Sequence, residues 1–114
     1  MGGFMYNVQE IATAVQHKIP LISIIFNDNA FGNVKRMHHE NFNGRTIATD
    51  LVNPNFVTLA ETFGATGIQA QNPDKLREAI KTGLKNNGPV VIEVPCGTFP
   101  SPWDYVILPK IRVS

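Results

Sequence analysis

Residues 21–32 read LISIIFNDNAFG, an apolar run that passes directly into a polar turn. The run 21–26 is rich in β-branched residues and apolar at odd and even positions alike, which is typical of a strand buried in a parallel sheet. The turn at 27–32 is rich in Asn, Asp and Gly, which tight turns favour. Open parallel sheets bind ligands at the carboxyl ends of their strands. We therefore expect this turn, with Asp28 in it, at a ligand-binding edge.

A second glycine-containing stretch, Gly2-Gly3-Phe4, opens the chain and runs straight into a helical pattern. Glycines let a backbone approach a ligand closely, and the free N–H groups at a helix start favour a phosphate. Asp28 adds a hard carboxylate, which Mg²⁺ or Ca²⁺ prefers. Taken singly, the glycines would more often form an ordinary tight turn, and Asp28 would more often cap one. Together, the two stretches predict the halves of a diphosphate–metal cradle.

Composition limits the class of protein. The 114 residues suffice for one domain with a core, and 43% apolar and 17% charged residues are normal for a soluble globular protein. A net charge of +1 gives no electrostatic reason to expect nucleic acid or an anionic membrane as a partner. A single cysteine, Cys96, excludes an internal disulfide and fits a reducing cytoplasm. No apolar run is long enough to predict a membrane span.

Helical and strand patterns alternate along the chain. Apolar spacing predicts helices in four regions, 7–17, 32–42, 55–63 and 73–85, and strands in three, 21–26, 65–70 and 89–94. This order predicts an α/β fold, a doubly wound and mainly parallel sheet with helices on both faces. We expect a domain over 1–95 and an irregular tail, rich in Pro and aromatic residues, over 96–114. A strand should precede Gly2, so the chain looks N-terminally truncated.

Two helices carry clear start signals. Asn55 is a good N-cap for a helix that Gly64 should end, and Asn72-Pro73 is a cap followed by proline at the first helical position. The second helix should turn one apolar face inward, made of Leu76, Ala79, Ile80, Gly83 and Leu84.

Several of these segments resemble one known family. They are Gly2-Gly3-Phe4, Gln9-Glu10, Pro20, Asn27–Gly32, Asn53–Phe56, Leu59-Ala60, Phe63-Gly64, Gly88-Pro89 and Glu93–Pro95. Together they resemble the C-terminal, diphosphate-binding domain of thiamine-diphosphate enzymes, most closely the acetolactate synthase-like branch. The family motif is Gly-Asp-Gly, about two dozen residues, and then Asn-Asn or Asn-Asp. The likeness covers nearly the whole chain and implies the corresponding, here partial, thiamine-diphosphate-binding fold.

The resemblance implies a role for each matching residue. Gly2 corresponds to the last glycine of the triplet and, with Gly3, would offer N–H groups to the diphosphate. Asp28 would bind Mg²⁺ through its side chain, and Ala30 through its carbonyl oxygen. The implied cofactors are thiamine diphosphate and Mg²⁺, and the implied cofactor-binding set is Gly2, Gly3, Asp28, Ala30, Phe31 and Gly32.

Two departures from the family pattern matter. Met1 stands where the metal-binding aspartate of the triplet is expected, which would weaken metal binding. Val34 stands where decarboxylase-type members carry a catalytic glutamate, which suits the acetolactate synthase-like branch better. The resemblance places the glutamate that activates the cofactor on a pyrimidine-binding domain, of the same or a partner subunit. It thus implies a homo-oligomeric, cytoplasmic carboligase or decarboxylase of 2-oxo acids. This chain would carry no catalytic residue and would be inactive alone.

Other interpretations remain open at this stage. One is a non-catalytic flavodoxin-like module that binds a phosphate or nucleotide, and another is a purely structural, self-associating body. His38-His39 is more readily a solvated surface pair than a metal site, because adjacent helical side chains diverge by about 100°. Cys96 is more readily a buried filler than a nucleophile, and Trp103 a packing anchor.

Overall fold

The structure, a computed structural model, describes residues 2–97 together with Pro100 and Val106. Its elements are, in chain order, α1 Gly2–Met5, α2 Glu10–Gln16, β1 Ile22–Asn27, α3 Gly32–Asn41, α4 Phe56–Thr62, β2 Thr66–Gln69, α5 Pro73–Leu84 and β3 Val90–Pro95. Most of the predicted tail at 96–114, Trp103 included, lies outside the described residues. None of the described helices has the length and apolar character needed to cross a membrane.

The three strands form one parallel sheet in the order β1-β3-β2. Ile22 pairs with Val90 on one side of the central strand, and Thr66 pairs with the same residue on the other side. All three strands therefore end at the same edge of the sheet, the edge that follows Asn27, Gln69 and Pro95. The predicted parallel α/β fold is confirmed.

Helices cover both faces of this sheet. One core cluster packs α2 and α4 against the sheet and is built around Ile11, Ile25, Phe56, Ala60 and Val91. The other packs α5 against the opposite face and includes Ala79, Val90 and Ile92. The central strand is buried from Val90 to Glu93 because it has a neighbour on each side and helices on both faces.

Strand β1 differs from its prediction. Uniform apolarity predicts burial on both faces, yet the side chains of Ile24 and Phe26 are 40% and 49% exposed. The reason is topological, because β1 lies at the edge of the described sheet, and the contact that α5 makes with it includes Ile22, at the start of the strand. There the backbone of Gly83 approaches Ile22 so closely that a Cβ would come within 2.9 Å of its Cδ1.

The predicted helix starts are confirmed. The side-chain oxygen of Asn55 accepts a hydrogen bond from Thr58 N at 3.0 Å, and that of Asn72 accepts one from Lys75 N at 2.8 Å. Gly64 ends α4 with φ +87°, a conformation that favours glycine. The inward position predicted for Leu84 is wrong: it is 74% exposed, because α5 ends there and Gly83 already makes the contact with the sheet.

Candidate functional site

The candidate site is built on the turn that follows β1. The Asn27 side chain accepts a hydrogen bond from Asn29 N at 3.1 Å, and the Asp28 side chain accepts one from Ala30 N at 3.3 Å. These are consecutive Asx turns, in which a side-chain oxygen mimics a backbone acceptor. Asn29 takes φ +54°, a left-handed conformation that asparagine tolerates better than most residues. The turn therefore reverses the chain within a few residues and keeps Asp28 at the edge of the sheet.

Gly32 leaves the space that the Asp28 carboxylate occupies. A Cβ built on Gly32 would lie 2.5 Å from Asp28 Oδ2, far inside van der Waals contact. The absence of a side chain at the first residue of α3 therefore decides where the carboxylate can lie. The family resemblance implies a cofactor contact for Gly32, and the structure adds this steric role.

The carbonyl oxygen of Ala30 differs from those of its neighbours. The carbonyl of Asn29 accepts a hydrogen bond from Leu51 N at 2.8 Å, and that of Phe31 accepts one from Lys35 N at 2.9 Å. Within residues 2–97, no N–H donates to the carbonyl oxygen of Ala30. A carbonyl without such a donor is available to a hard cation, as is the carboxylate two residues earlier.

The loop at 43–52 forms backbone hydrogen bonds with the same turn. Phe31 N donates to the Thr49 carbonyl at 2.8 Å, and Ala30 and Asp50 form an isolated antiparallel bridge. An exposed ion pair between Lys35 and Asp50 lies beside this bridge. The loop thus supports the turn through backbone hydrogen bonds.

The glycines at the start of the chain lie in the first turn of α1. The ring of Phe4 packs edge-on against Phe56, with centroids 5.8 Å apart, and holds α1 on the α4 face of the sheet. Met5 and Tyr6 then line an open cleft of about 270 Å³ together with Phe31 and residues 51–54. Met5 and Tyr6, which follow the glycine stretch, and Phe31 of the turn therefore border a common cleft. Gly2, Gly3, Asp28 and Ala30 are not among the described residues that line it.

Comparison with known proteins assigns the family. Residues 2–94 match the family described as thiamine pyrophosphate enzyme, C-terminal TPP binding domain. The chain belongs to this family. It is 39% identical over 94 residues to an acetolactate synthase of Bacillus subtilis (strain 168), with 82% of this chain and 16% of that protein covered. It is also 31% identical over 106 residues to the acetolactate synthase isozyme 2 large subunit of Escherichia coli (strain K12), with 92% and 19% covered.

A solved structure gives the same result for the fold. The thiamine diphosphate-dependent 4-hydroxybenzoylformate decarboxylase of Rhodococcus jostii RHA1 superposes with a TM-score of 0.80 at 29% identity. The alignment covers 88% of this chain and 19% of the decarboxylase. The chain thus spans less than a fifth of the length of these relatives, and the predicted resemblance to an acetolactate synthase-like TPP-binding domain is confirmed.

Sequence reasoning included Glu93 of this TPP-binding domain in the resemblance but assigned no role to it. It lies in the central strand, is 6% exposed, and accepts a hydrogen bond from Asn27 Nδ2 to its Oε1 at 2.7 Å. Gln69 Nε2 donates to its other oxygen at 3.4 Å. The available signal was an acidic residue inside the otherwise apolar run 90–94, because a buried carboxylate requires partners.

Cys96 follows β3 at the same edge of the sheet and is half-buried. Its N–H donates to the Asn27 carbonyl at 3.0 Å. Burial raises the pKa of the Cys96 thiol above its ordinary value of 9.0, and the Asp28 carboxylate raises it further. A thiol with a raised pKa is a poor nucleophile at neutral pH.

The adjacent histidines of α3 lie in different surroundings. His39 is exposed, whereas His38 is half-buried and packs edge-on against Phe42, with ring centroids 6.0 Å apart. Among the described residues, no group of three or more His, Cys, Asp or Glu side chains is placed to hold a metal ion. A metal at the turn would therefore take part of its coordination from groups other than these side chains.

Proposed function

We propose that this TPP-binding domain holds the diphosphate and Mg²⁺ of thiamine diphosphate for an acetolactate synthase-like carboligase or decarboxylase of 2-oxo acids. The observation that carries the proposal is the turn after β1. It presents the Asp28 carboxylate and, two residues later, the Ala30 carbonyl, to which no N–H group of residues 2–97 donates, next to the cleft that α1 borders. Both are hard oxygen donors and fit Mg²⁺, which commonly keeps water and substrate phosphate oxygens as its other ligands.

The remaining residues of the proposed site act on the diphosphate. Backbone N–H groups of Gly2 and Gly3 would donate to its oxygens, and Phe31 and Gly32 would contact the cofactor from the opposite side of the cleft. Bound thiamine diphosphate supplies the nucleophilic carbon and the electron sink for 2-oxo acid chemistry. The share of this chain is to orient the cofactor and to neutralise its diphosphate charge.

We propose that the rest of the active site lies outside this chain. A pyrimidine-binding domain, of the same or a partner subunit, would complete it in a cytoplasmic homo-oligomer. The chain alone should then not turn over pyruvate when supplied with cofactor and Mg²⁺. A flavodoxin-like binding module is not favoured, because residues 2–94 match the TPP-binding family.

The experiment is a calorimetric titration of thiamine diphosphate into the 114-residue chain, with and without Mg²⁺. We expect binding that requires the metal, even at millimolar affinity, and that is lost in Asp28→Ala. Asp74→Ala is the matched control, since its carboxylate is 88% exposed at the start of α5. An equal loss of cofactor affinity in both variants, or cofactor binding that is the same with and without Mg²⁺, would contradict the proposal.

A further inference from the structure

The central strand carries a carboxylate where the neighbouring positions are apolar. Glu93 follows Val90, Val91 and Ile92, all at most 2% exposed, and is itself 6% exposed. Burial of a carboxylate is unfavourable unless hydrogen bonds replace its lost hydration. Glu93 obtains such bonds from both neighbouring strands, from Asn27 at 2.7 Å and Gln69 at 3.4 Å. The shorter bond connects it to the residue that begins the candidate site.

The direction of that bond has a consequence for the turn. An amide side chain has a donor end and an acceptor end, and here an oxygen of the Glu93 carboxyl group accepts from the Asn27 amide. Glu93 therefore holds the Nδ2 end of Asn27 and leaves the Oδ1 end facing the turn. That oxygen accepts the N–H of Asn29 at 3.1 Å, and Asn29 is the residue held at φ +54°. A continuous path of hydrogen bonds thus links the central strand to the left-handed residue between Asp28 and Ala30.

We propose that Glu93 is a positioning residue that orients the Asn27 side chain and, through it, fixes the turn carrying Asp28 and Ala30. An apolar residue at 93 would satisfy the packing of the strand as Val91 does. It would leave the Asn27 amide free to rotate and the turn without a fixed acceptor for the N–H group of Asn29. The consequence for metal binding rests on the proposed function, whereas the effect on the turn does not.

The first test measures the turn in the absence of any ligand. Hydrogen exchange of the Asn29 and Ala30 amides, followed by NMR in the 114-residue chain, reports whether the turn opens locally. We expect Glu93→Leu to speed exchange of the Asn29 amide about tenfold or more relative to amides of α5. Glu93→Gln should restore the unsubstituted rate, because its Oε1 still accepts from Asn27. An unchanged Asn29 rate in a folded Glu93→Leu variant would overturn the proposal.

Two further variants separate positioning from simple stability. Gln69→Leu removes the other partner of Glu93 but has no link to the turn, so the Asn29 amide should exchange at the unsubstituted rate. Glu93→Asp keeps the charge but is one methylene shorter, so it should lose the bond to Asn27 and speed exchange even if Glu93→Leu does not fold. Equal acceleration in Gln69→Leu and Glu93→Asp would show that Glu93 acts only through general stability and would overturn the proposal.

The second test adds thiamine diphosphate and Mg²⁺. We expect about tenfold weaker metal-dependent binding in Glu93→Leu and recovery in Glu93→Gln, a range common for residues that orient metal ligands. If the unsubstituted chain binds no cofactor, the proposed function fails, while the exchange experiment still decides the role of Glu93. If the cofactor binds equally to all variants, Glu93 does not position the site.

Discussion

Gly32→Ala should separate the geometry of the site from the stability of the fold. The new Cβ would lie 2.5 Å from Asp28 Oδ2. An ordinary carbon–oxygen contact is about 3.3 Å or longer, so the carboxylate must withdraw by roughly 0.8 Å. Metal–ligand distances tolerate only about 0.2 Å. The substitution should therefore displace the proposed metal ligand without touching it chemically.

The expected size of the effect follows from that displacement. A misplaced metal ligand typically weakens metal binding about 10- to 100-fold, which is about 1.4–2.8 kcal/mol. The free energy of unfolding should change by less than about 1 kcal/mol, because the obstructing atom is the end of a flexible side chain and alanine suits a helix better than glycine. The affinity for the metal should thus fall while the free energy of unfolding changes little.

The assay for Gly32→Ala is the metal-dependent titration of thiamine diphosphate, paired with thermal unfolding. Gly88→Ala is the control, because a Cβ there has no neighbour within 4 Å. Unsubstituted affinity in Gly32→Ala would refute the reasoning about Asp28. A large loss of stability would refute the assumption that the side chain can withdraw.

Three further predictions concern other parts of the chain. Gly67→Ala should destabilise the fold by about 1–3 kcal/mol in thermal or urea unfolding. The reason is that its Cβ would lie 2.6 Å from the Val57 carbonyl oxygen, a backbone atom that cannot move aside as a side chain can. An unchanged unfolding midpoint would contradict the close approach of α4 to β2. Asn72→Ala should cost about 1 kcal/mol in the same assay by removing the N-cap of α5, and no loss would show that the cap contributes nothing. Cys96 should be alkylated more slowly at pH 8 in the folded chain than in urea, because its raised pKa keeps the thiol protonated until higher pH. Asp28→Asn should lower that pKa and speed alkylation of the folded chain. Equal alkylation rates in the Asp28→Asn and unsubstituted chains would show that the Asp28 charge does not act on Cys96.

The fold followed from the sequence wherever the signals were local. The cap at Asn72 and the stop at Gly64 depend on a few neighbouring residues, and the structure confirms both. Burial of β1 was predicted from apolarity, but the exposure of Ile24 depends on strand order, which apolarity does not encode. The prediction that Leu84 points inward was wrong for a similar reason, since its exposure depends on where α5 ends against the sheet.

The candidate site was only partly predictable. Asp28 was predicted from the turn composition and the glycine pair, which point to the same edge of the sheet, whereas Ala30 was predicted only from the family resemblance. The role of Glu93 in supporting the turn was not predicted, because its hydrogen bond to Asn27 joins residues 66 positions apart in the chain. The steric role of Gly32 was equally hidden, since only coordinates show which atom would meet a Cβ.

The most direct test of the account locates the metal itself. Mn²⁺ in place of Mg²⁺ broadens the NMR signals of nearby backbone amides, so the affected residues report where the ion binds. With thiamine diphosphate present, we predict the strongest broadening at the amides of 28–32 and none in Asp28→Ala. Broadening centred on His38 and His39, or cofactor binding without broadening near the turn, would contradict the assignment of the metal site.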